Sequence, residues 1–456
     1  MATTVTYKYT DGSQSDLTTV NYHSETTSGL SEYFQARIPK YANITAATVV
    51  ARVKTSLSSK ADIKMYFADG ETNDHRTTFL DQSQAVGNSF VSITGNMNGY
   101  WNSTTANAGK CSSQYKRLWV YMNATVLRRF TIDWITYNLT YESPKLTLSV
   151  SSSDTSMGTV SGGGTYDVTK STQTKTISAT PKPGYRFVKW QGYVNSTNAT
   201  ENVSFSDSDI AGNSMTWYFT AVFEPVSYVI SFDGNGSTSG AVQNKSTVFG
   251  QSVTLTNTYR KYHYVSFDSA GGSACSRLFV EHDFKGFSDE NAIVYGGTSY
   301  SGTQFDAPFY ANTYADLYAA FGYDKYSLIQ HYINNGIREG RSAVGSVRGV
   351  YPDGAEASSL TTVHNSYVSL KAQWIDKPVI LPETQRTGYT FEGWYEDSGY
   401  TVRAGGAGDE YVPTANLTLF AKWDKNPVPV IQSVEINPNP ANAKQGFIIA
   451  VGFLEP

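Results

Sequence analysis

The strongest candidate for a catalytic side chain is a histidine between two acids. His282 stands between Glu281 and Asp283, and a histidine oriented by a carboxylate is the usual general base of hydrolytic sites. In an extended strand, however, successive side chains point to opposite faces. Glu281 and Asp283 would therefore share one face while His282 occupies the other, which disfavours a catalytic triad.

Motifs of the common catalytic sites are missing from the sequence. It contains no G-x-S-x-G elbow, phosphate-binding loop, H-E-x-x-H or C-x-x-C. The 6 histidines are scattered, and GNGSTSG at 234–240 is typical of a turn between strands. Carboxylates for glycoside hydrolysis meet only in a folded chain, so a glycan-degrading enzyme stays a third alternative, although nothing points to it. We predict no catalytic residues, no cofactor and no enzymatic activity.

One acidic loop carries the oxygen ligands of a calcium site. ADGETND at 68–74 concentrates Asp69, Glu71, Asn73 and Asp74, and carboxylate and amide oxygens are ligands that Ca²⁺ prefers. The same composition is typical of an ordinary polar hairpin loop. We favour the loop and predict no metal site.

Aromatic side chains are the most abundant candidates for binding, since the chain holds 33 tyrosines and 8 tryptophans. Aromatic rings pack against sugar faces, and amides bind sugar hydroxyls. The best candidates for glycan contact are Tyr100, Trp101, Tyr121 and Tyr137. The alternative is that these rings fill the core of their own module.

The composition indicates that these rings lie on β-strands. Tyrosine and threonine favour strands, while Gly, Asn, Asp and Ser favour turns. Charged residues make up only 16% of the chain and the net charge is -4, which disfavours nucleic acid and anionic lipid as partners. No run of about 18 apolar residues occurs, so we expect no membrane insertion. The sequence predicts a mainly β, modular protein.

Residues 1–143 are predicted to form an N-terminal β-sandwich or jelly-roll-like module. In its closing strand Phe130, Ile132 and Trp134 share one face, whereas Ile135 and the alternate residues after it share the other. The change of face at Trp134 and Ile135 predicts a β-bulge there. These closing strands resemble N-terminal β-domains of phage tail and appendage proteins.

Three later segments repeat one pattern, in which a strand containing paired aromatic residues precedes a closing strand that ends in an aromatic residue. The pairs are GYRFVKWQG (184–192) with TWYFTAVFEP (216–225), FKGFSDE (284–290) with YVSLKAQW (367–374), and GYTFEGWYEDSG (388–399) with LTLFAKWD (417–424). They resemble the internalin-type B-repeat (Listeria–Bacteroides repeat), a small β-grasp-like module of bacterial surface proteins. We assign a divergent copy to 144–225, a degenerate copy to 226–376 with Phe287 in place of the family tryptophan, and a close copy to 377–424.

The resemblance implies a spacer or adhesion module without catalytic residues. It also implies that the signature aromatics form the core of each repeat, namely Tyr185, Trp190, Tyr389, Phe391, Trp394 and Trp423. Strict alternation would place Trp394 on the polar face beside Glu392, whereas a kink at Gly393 would turn it inward. We predict that Trp394 fills the core; the alternative is an exposed platform for a ligand.

A short helical insertion interrupts the degenerate repeat at about 305–341. Asp306 can cap a first helix that ends at Gly322, and a second helix begins near Asp324 and ends at Gly336. Residues 425–456 begin with a Pro-rich linker and continue as a C-terminal strand pair. We expect 429–456 to pair with a neighbouring protein by strand addition, because an isolated hairpin is marginally stable.

The N-terminal sequence MATTVTYKYTDGSQSD carries neither a basic n-region nor an apolar h-region. A virion protein reaches the cell exterior by lysis without a signal peptide, so we expect a structural protein on a phage virion surface, such as a tail or head appendage. Its expected partners are other virion structural proteins and host cell-wall or capsule glycan. A homo-oligomer stays open, and no coiled-coil heptad indicates one. The main alternative is a bacterial cell-surface adhesin whose signal peptide has been removed.

Overall fold

The protein is described by a computed structural model for residues 2–10, 26–55, 61–69, 76–84, 86, 88–96, 115–437 and 448–453. Strands dominate, the sheets are open, and three short α-helices occur in the described part, which confirms the predicted mainly β class. Contacts divide the chain into two units, Met1–Glu224 and Pro225–Pro456. Within the described ranges, no helix is long and apolar enough to cross a membrane.

The N-terminal module is a seven-stranded sheet organised around one long strand. The strands are β1 (Ala2–Thr10), β2 (Thr26–Arg37), β3 (Asn43–Thr55), β4 (Ala61–Asp69), β5 (Arg76–Gln84), β6 (Val91–Asn96) and β7 (Tyr115–Glu142). The first half of β7 pairs with β2 and β4, and its second half pairs with β1 and β3. One strand therefore joins two sets of partners.

A β-bulge in β7 lies one residue before its predicted position. Arg52 pairs with Trp134, but the next residue of β3, Val53, pairs with Ile132, which leaves Asp133 as the extra residue. Beyond the bulge, Ile135 and Leu139 are buried at 1% and 0% exposure. The bulge thus precedes the change of buried face that the sequence pattern indicated.

The divergent repeat consists of two small sheets that enclose one core. Its strands are β8 (Lys145–Ser152), β9 (Gly158–Ser161), β10 (Gly164–Asp167), β11 (Gln173–Pro181), β12 (Tyr185–Gly192), β13 (Thr200–Phe205) and β14 (Ser214–Pro225). One sheet has the order β10-β8-β14-β12, with β8 and β14 parallel, and the other has the order β13-β11-β9. Alternate residues of both sheets form the core, including Trp190, Phe205 and Trp217.

The second unit contains an eight-stranded sheet that runs through two repeats. Its first elements are β15 (Ser227–Asp233), β16 (Lys245–Val248), β17 (Val253–Leu255), β18 (Lys261–Asp268), β19 (Leu278–Asp289), β20 (Ile293–Tyr295) and β21 (Thr298–Tyr300). After the helices come β22 (Tyr323–Asp324), β23 (Ala355–Ser358), β24 (Ser366–Ile375), β25 (Val379–Ile380), β26 (Tyr389–Tyr395), β27 (Arg403–Gly405), β28 (Glu410–Tyr411) and β29 (Leu417–Lys425). The order in the large sheet is β16-β15-β24-β19-β18-β29-β26-β27.

Strand pairing crosses the repeat boundary expected between residues 376 and 377. In β18, Val265–Asp268 pair in parallel with Leu417–Phe420 of β29, just as β15 pairs in parallel with β24. The first half of β19 pairs with β18, and its second half pairs with β24. The last repeat therefore takes its first strand from inside the preceding one, and the two repeats share a continuous sheet.

The helical insertion contains α1 (Ala307–Thr313), α2 (Ala315–Phe321) and α3 (Lys325–His331), followed by a π-helical turn at Tyr332–Gly336. Asp306 caps α1 as predicted, and the helix expected to begin near Asp324 is α3, which Asp324 caps; each carboxylate accepts a backbone N–H three residues later. The single first helix expected from the sequence is wrong. It is two helices, since Tyr314 is extended (φ -119, ψ 98) and serves as C-cap of α1 and N-cap of α2.

The C-terminal residues form the predicted strand pair. β30 (Ile431–Asn437) and β31 (Ile448–Phe453) are antiparallel and belong to a sheet of two strands. Several apolar side chains of this hairpin and its linker are exposed, namely Val428, Val430, Ile431, Val434, Ile449 and Val451.

Candidate functional site

Each repeat places three aromatic rings together at the same positions of its two signature strands. We call these three rings the aromatic triad. The triads are Phe187, Trp190 and Phe223; Phe284, Phe287 and Trp374; and Phe391, Trp394 and Trp423. In each triad the first phenylalanine in the chain contacts both other rings, with centroid distances between 4.9 and 5.9 Å. The three segments therefore share one packing scheme in spite of their different sequences.

In the last two repeats, a β-bulge turns the second ring of the triad, Phe287 or Trp394, inward. Phe391 pairs with Trp423, but Gly393 pairs with Lys422, so Glu392 is the extra residue. Gly393 has φ 139, a backbone conformation that residues with a Cβ atom rarely adopt. After the bulge, Trp394 is 0% exposed. The structure thus places Trp394 in the core, and a direct ligand platform at this residue is incompatible with its burial.

The preceding repeat has a β-bulge at the same position. The register between β19 and β24 shifts between Phe284 and Gly286, where Gly286 has φ 145. Phe287 follows at 0% exposure. Phe287 consequently occupies the structural position of Trp394, as the sequence comparison of the two segments indicated.

In the last two repeats, indole nitrogens connect the triad to the loops around it. Trp423 Nε1 donates to the Ser269 carbonyl (2.9 Å), and Trp374 Nε1 donates to the Gly234 carbonyl (3.1 Å). Trp394 Nε1 donates to the Pro382 carbonyl (2.8 Å). Each closing tryptophan therefore anchors the turn that follows the first strand of its repeat, while Trp394 anchors the segment before its own strand.

The other signature residues are half-buried. Tyr185 and Tyr389 lie at the start of β12 and β26, and both keep part of their surface in contact with solvent. The Arg386 guanidinium lies 3.8 Å from the centre of the Tyr389 ring, a cation–π contact. Tyr389 thus stands at the surface of the last repeat rather than in its core.

The predicted glycan contacts of the N-terminal module are not brought into a described site. Tyr100 and Trp101 lie outside the described residues. Tyr121 and Tyr137 lie in β7, where the structure describes the path of the strand. Of the acidic loop, residues 70–74 also lie outside the described part, and the described residues contain no group of three or more potential metal ligands.

His282 is buried and pairs with a second histidine. The strand alternation predicted for 281–283 is confirmed, since Glu281 and Asp283 are exposed while His282 is 2% exposed. His282 Nε2 lies 2.9 Å from His263 Nδ1, and the Lys377 backbone N–H donates to His282 Nδ1 (3.1 Å). Burial lowers the pKa of His282. The arrangement provides no nucleophile; the pair joins β18, β19 and the segment after β24.

Sequence reasoning missed His263 as the partner of His282. The two residues are 19 positions apart and meet because β18 and β19 are adjacent, with His263 opposite Val280 in the register. The alternation of Tyr262, His263 and Tyr264 could have shown that His263 faces away from its tyrosine neighbours. It could not have shown which strand lies beside it.

A groove on the last repeat combines aromatic and planar polar side chains. Its cavity of about 570 Å³ is lined by Ser273, Thr384, Gln385, Arg386, Thr387, Tyr389, Phe391 and Trp423. A second cavity of about 780 Å³ extends from Tyr389 along the linker and is lined by residues 387–390 and 425–429. Three half-buried rings, a guanidinium, an amide and several hydroxyls therefore line one surface depression.

These features define a modular β protein whose repeats share an aromatic core. Residues 148–227 match the divergent InlB B-repeat domain, and residues 358–422 match the Listeria-Bacteroides repeat domain. The chain thus carries B-repeat modules, which indicate a surface-associated structural or adhesive protein, located at a cell surface or outside the cell.

Other comparisons add little. No curated protein matches the chain. Among solved structures, a mutant of xylanase 10C from Cellvibrio japonicus, in complex with xylopentaose, aligns with 13% sequence identity and a TM-score of 0.20. That alignment covers 33% of this chain and 32% of the other, and a similarity this low supports no conclusion about fold or function.

Proposed function

We propose that the chain is a non-enzymatic adhesive protein of a phage particle and that it attaches the particle to glycan on the host surface. The B-repeat modules support the adhesive role. The resemblance of the closing strands of the N-terminal module to phage appendage domains supports the virion. A cell-surface adhesin of a bacterium has the same modules, so mass spectrometry of purified particles separates the two: absence of the chain from the particles overturns the virion assignment.

The groove on the last repeat is the observation that carries the glycan proposal. Tyr389 and Trp423 offer apolar ring surface to the carbon–hydrogen face of a sugar. Gln385 and Arg386 offer planar donors to hydroxyl or carboxyl groups on the same ligand. An aromatic surface with a few converging polar groups is the usual composition of a small-ligand site.

Removing the polar groups of the groove should weaken glycan binding. We expect the double variant Gln385→Ala/Arg386→Ala to bind host cell-wall or capsule fragments roughly tenfold more weakly, a change of about 1.4 kcal/mol. The measurement is titration of the full chain on an array of purified wall and capsule glycans. The matched control is Gln251→Ala/Arg338→Ala, which removes the same groups from exposed positions of the preceding repeat. Equal affinities of the two double variants would show that the groove is not the glycan-binding site.

For attachment to the particle, we propose the C-terminal hairpin. A two-stranded hairpin is marginally stable alone, and in β30 and β31 Ile431, Val434 and Ile449 are 58%, 55% and 52% exposed. Open strand edges accept a further strand through backbone hydrogen bonds. A strand of a neighbouring virion protein would satisfy these edges and cover the apolar side chains.

Charge placed on the hairpin should block assembly. We expect Val434→Asp to abolish incorporation into particles, because an aspartate in the paired strand opposes burial against a partner. Val428→Asp is the control, since Val428 is 74% exposed in the linker before β30. Incorporation is measured by mass spectrometry of particles assembled with each variant, and undiminished incorporation of Val434→Asp would remove the hairpin from consideration.

A further inference from the structure

A lysine and an aspartate meet inside the repeat that contains the helical insertion. Lys325 is the first residue of α3, and Asp289 is the last residue of β19. Their side chains are 2% and 1% exposed, and Lys325 Nζ lies 2.8 Å from Asp289 Oδ2. Lysine is almost never buried so completely unless it is paired, because removing an ammonium group from water is costly.

Buried apolar residues flank the pair along the chain. Lys325 lies between Tyr323 and Leu328 in its own segment, and both of these belong to the buried core of the repeat. Asp289 lies two residues after Phe287, which is 0% exposed. Water therefore has little access to either functional group.

The two oxygens of Asp289 have different partners. Oδ1 accepts the backbone N–H (2.9 Å) and the side-chain amide (2.8 Å) of Asn291. Oδ2 faces Lys325 Nζ and the Tyr351 hydroxyl, which lies 3.4 Å away. Burial raises the pKa of Tyr351 well above its usual value, so this hydroxyl keeps its proton. One oxygen is thus held by two donors, while the other faces the amine and a proton donor.

We propose that Lys325 and Asp289 join in an intramolecular isopeptide bond between Nζ and Cγ. Proton transfer from the ammonium to the carboxylate first gives a neutral amine and a neutral acid, which removes both charges from a buried site. The Nζ lone pair then attacks Cγ, and the two Asn291 donors stabilise the negative charge that develops on Oδ1. Oδ2 leaves as water with the proton of the acid and one proton of the amine, so an amide and one water form without a co-reactant.

The product fits the same contacts. The remaining amide N–H retains the Asn291 carbonyl as acceptor, which already lies 2.6 Å from Nζ. The amide oxygen retains both donors of Asn291. The bond closes a covalent loop from β19 to α3 that contains β20, β21, α1, α2 and β22. Like a disulfide, such a bond stabilises the fold by restricting the unfolded chain.

Peptide mapping of the full chain tests the bond directly. Trypsin cleaves after Lys285, Lys325 and Arg338 in the unmodified sequence, giving peptides 286–325 and 326–338. An acylated Lys325 resists trypsin, so we expect a single peptide 286–338 that is lighter than its sequence mass by one water. Recovery of the two separate peptides at their sequence masses from folded protein would overturn the proposal.

An internal control and a variant exclude other causes. Lys422 Nζ lies 2.8 Å from Glu392, but these side chains are 39% and 37% exposed, so cleavage after Lys422 should be complete. Lys325→Arg keeps the positive charge but removes the amine nucleophile, and it should restore both the sequence mass and cleavage at 325. A mass deficit that persists in this variant would place the lost water elsewhere and refute the assignment. The mass of the wild-type chain is decisive even if the variant fails to fold.

Discussion

Replacing Trp394 with alanine is expected to open the last repeat while the divergent repeat stays folded. Trp394 is 0% exposed, and its ring centroid lies 4.7 Å from Phe267 and 5.4 Å from Phe391. Truncating a buried tryptophan to alanine costs about 3–5 kcal/mol. A core as small as this one has little stability in reserve. The loss should therefore be sufficient to unfold the repeat locally.

Hydrogen exchange read by mass spectrometry measures this loss in the intact chain. We expect the amides of β26 and β29 to lose protection by about 3–5 kcal/mol, whereas β8 and β14 in the other unit keep theirs. Separate readouts are necessary because a chain of several modules does not unfold in one transition. Unchanged protection of β26 and β29 would show that the buried ring of Trp394 does not stabilise the repeat.

Trp394→Phe is the matched control for the same site. Phenylalanine already occupies the equivalent position in the preceding repeat as Phe287, with the same bulge before it. This variant retains a ring but loses the hydrogen bond to the Pro382 carbonyl, a loss of about 1 kcal/mol. A phenylalanine variant as unstable as the alanine variant would show that the bond and the ring size, rather than burial, stabilise the repeat.

Local features of the fold were predictable from sequence because their causes are local. Asp306 and Asp324 cap helices through hydrogen bonds to residues three positions away, and such caps need no tertiary contact. The break at Tyr314 was not predictable in this way. Its extended conformation lies between two short helices, and neither a glycine nor a proline marks the break.

Non-local pairings were beyond the sequence pattern. β18 and β29 both alternate with period two, but Val265 pairs with Leu417, about 150 positions away. Alternation shows which face of a strand is buried and leaves its neighbour undetermined. For this reason the groove was not predicted either, because Ser273 and Gln385 come together only through that pairing.

Trp394 faces inward because of a bulge, whereas strict alternation alone would place it on the outer face. Counting from Phe391 by twos places Trp394 on the outer face, while Glu392 as an extra residue restores it to the inner one. Gly393, which follows the extra residue, was the sequence signal for this kink. The same spacing at Gly286 shows that the signal belongs to the repeat and not to one sequence.

Gly286→Ala should therefore destabilise the preceding repeat severely. Gly286 has φ 145, and a Cβ there would stand 2.5 Å from the Tyr351 carbonyl oxygen. That oxygen accepts the Phe287 N–H at 2.9 Å, so relief of the clash would break a buried hydrogen bond. Backbone strain costs about 1–3 kcal/mol, and forcing apart a packed contact costs a similar amount. We expect a total loss of roughly 2–5 kcal/mol.

Gly354→Ala separates strain from steric clash in this repeat. Gly354 also has a positive φ (79), but a Cβ there would meet nothing within 4 Å, so the variant should lose only about 1 kcal/mol. Hydrogen exchange in β19 and β24 compares the two variants with the wild type. If Gly286→Ala costs no more than Gly354→Ala, the bulge is not needed to bury Phe287. Since Gly393 has the same register shift before Trp394, that result would also remove the bulge from the explanation of the last repeat.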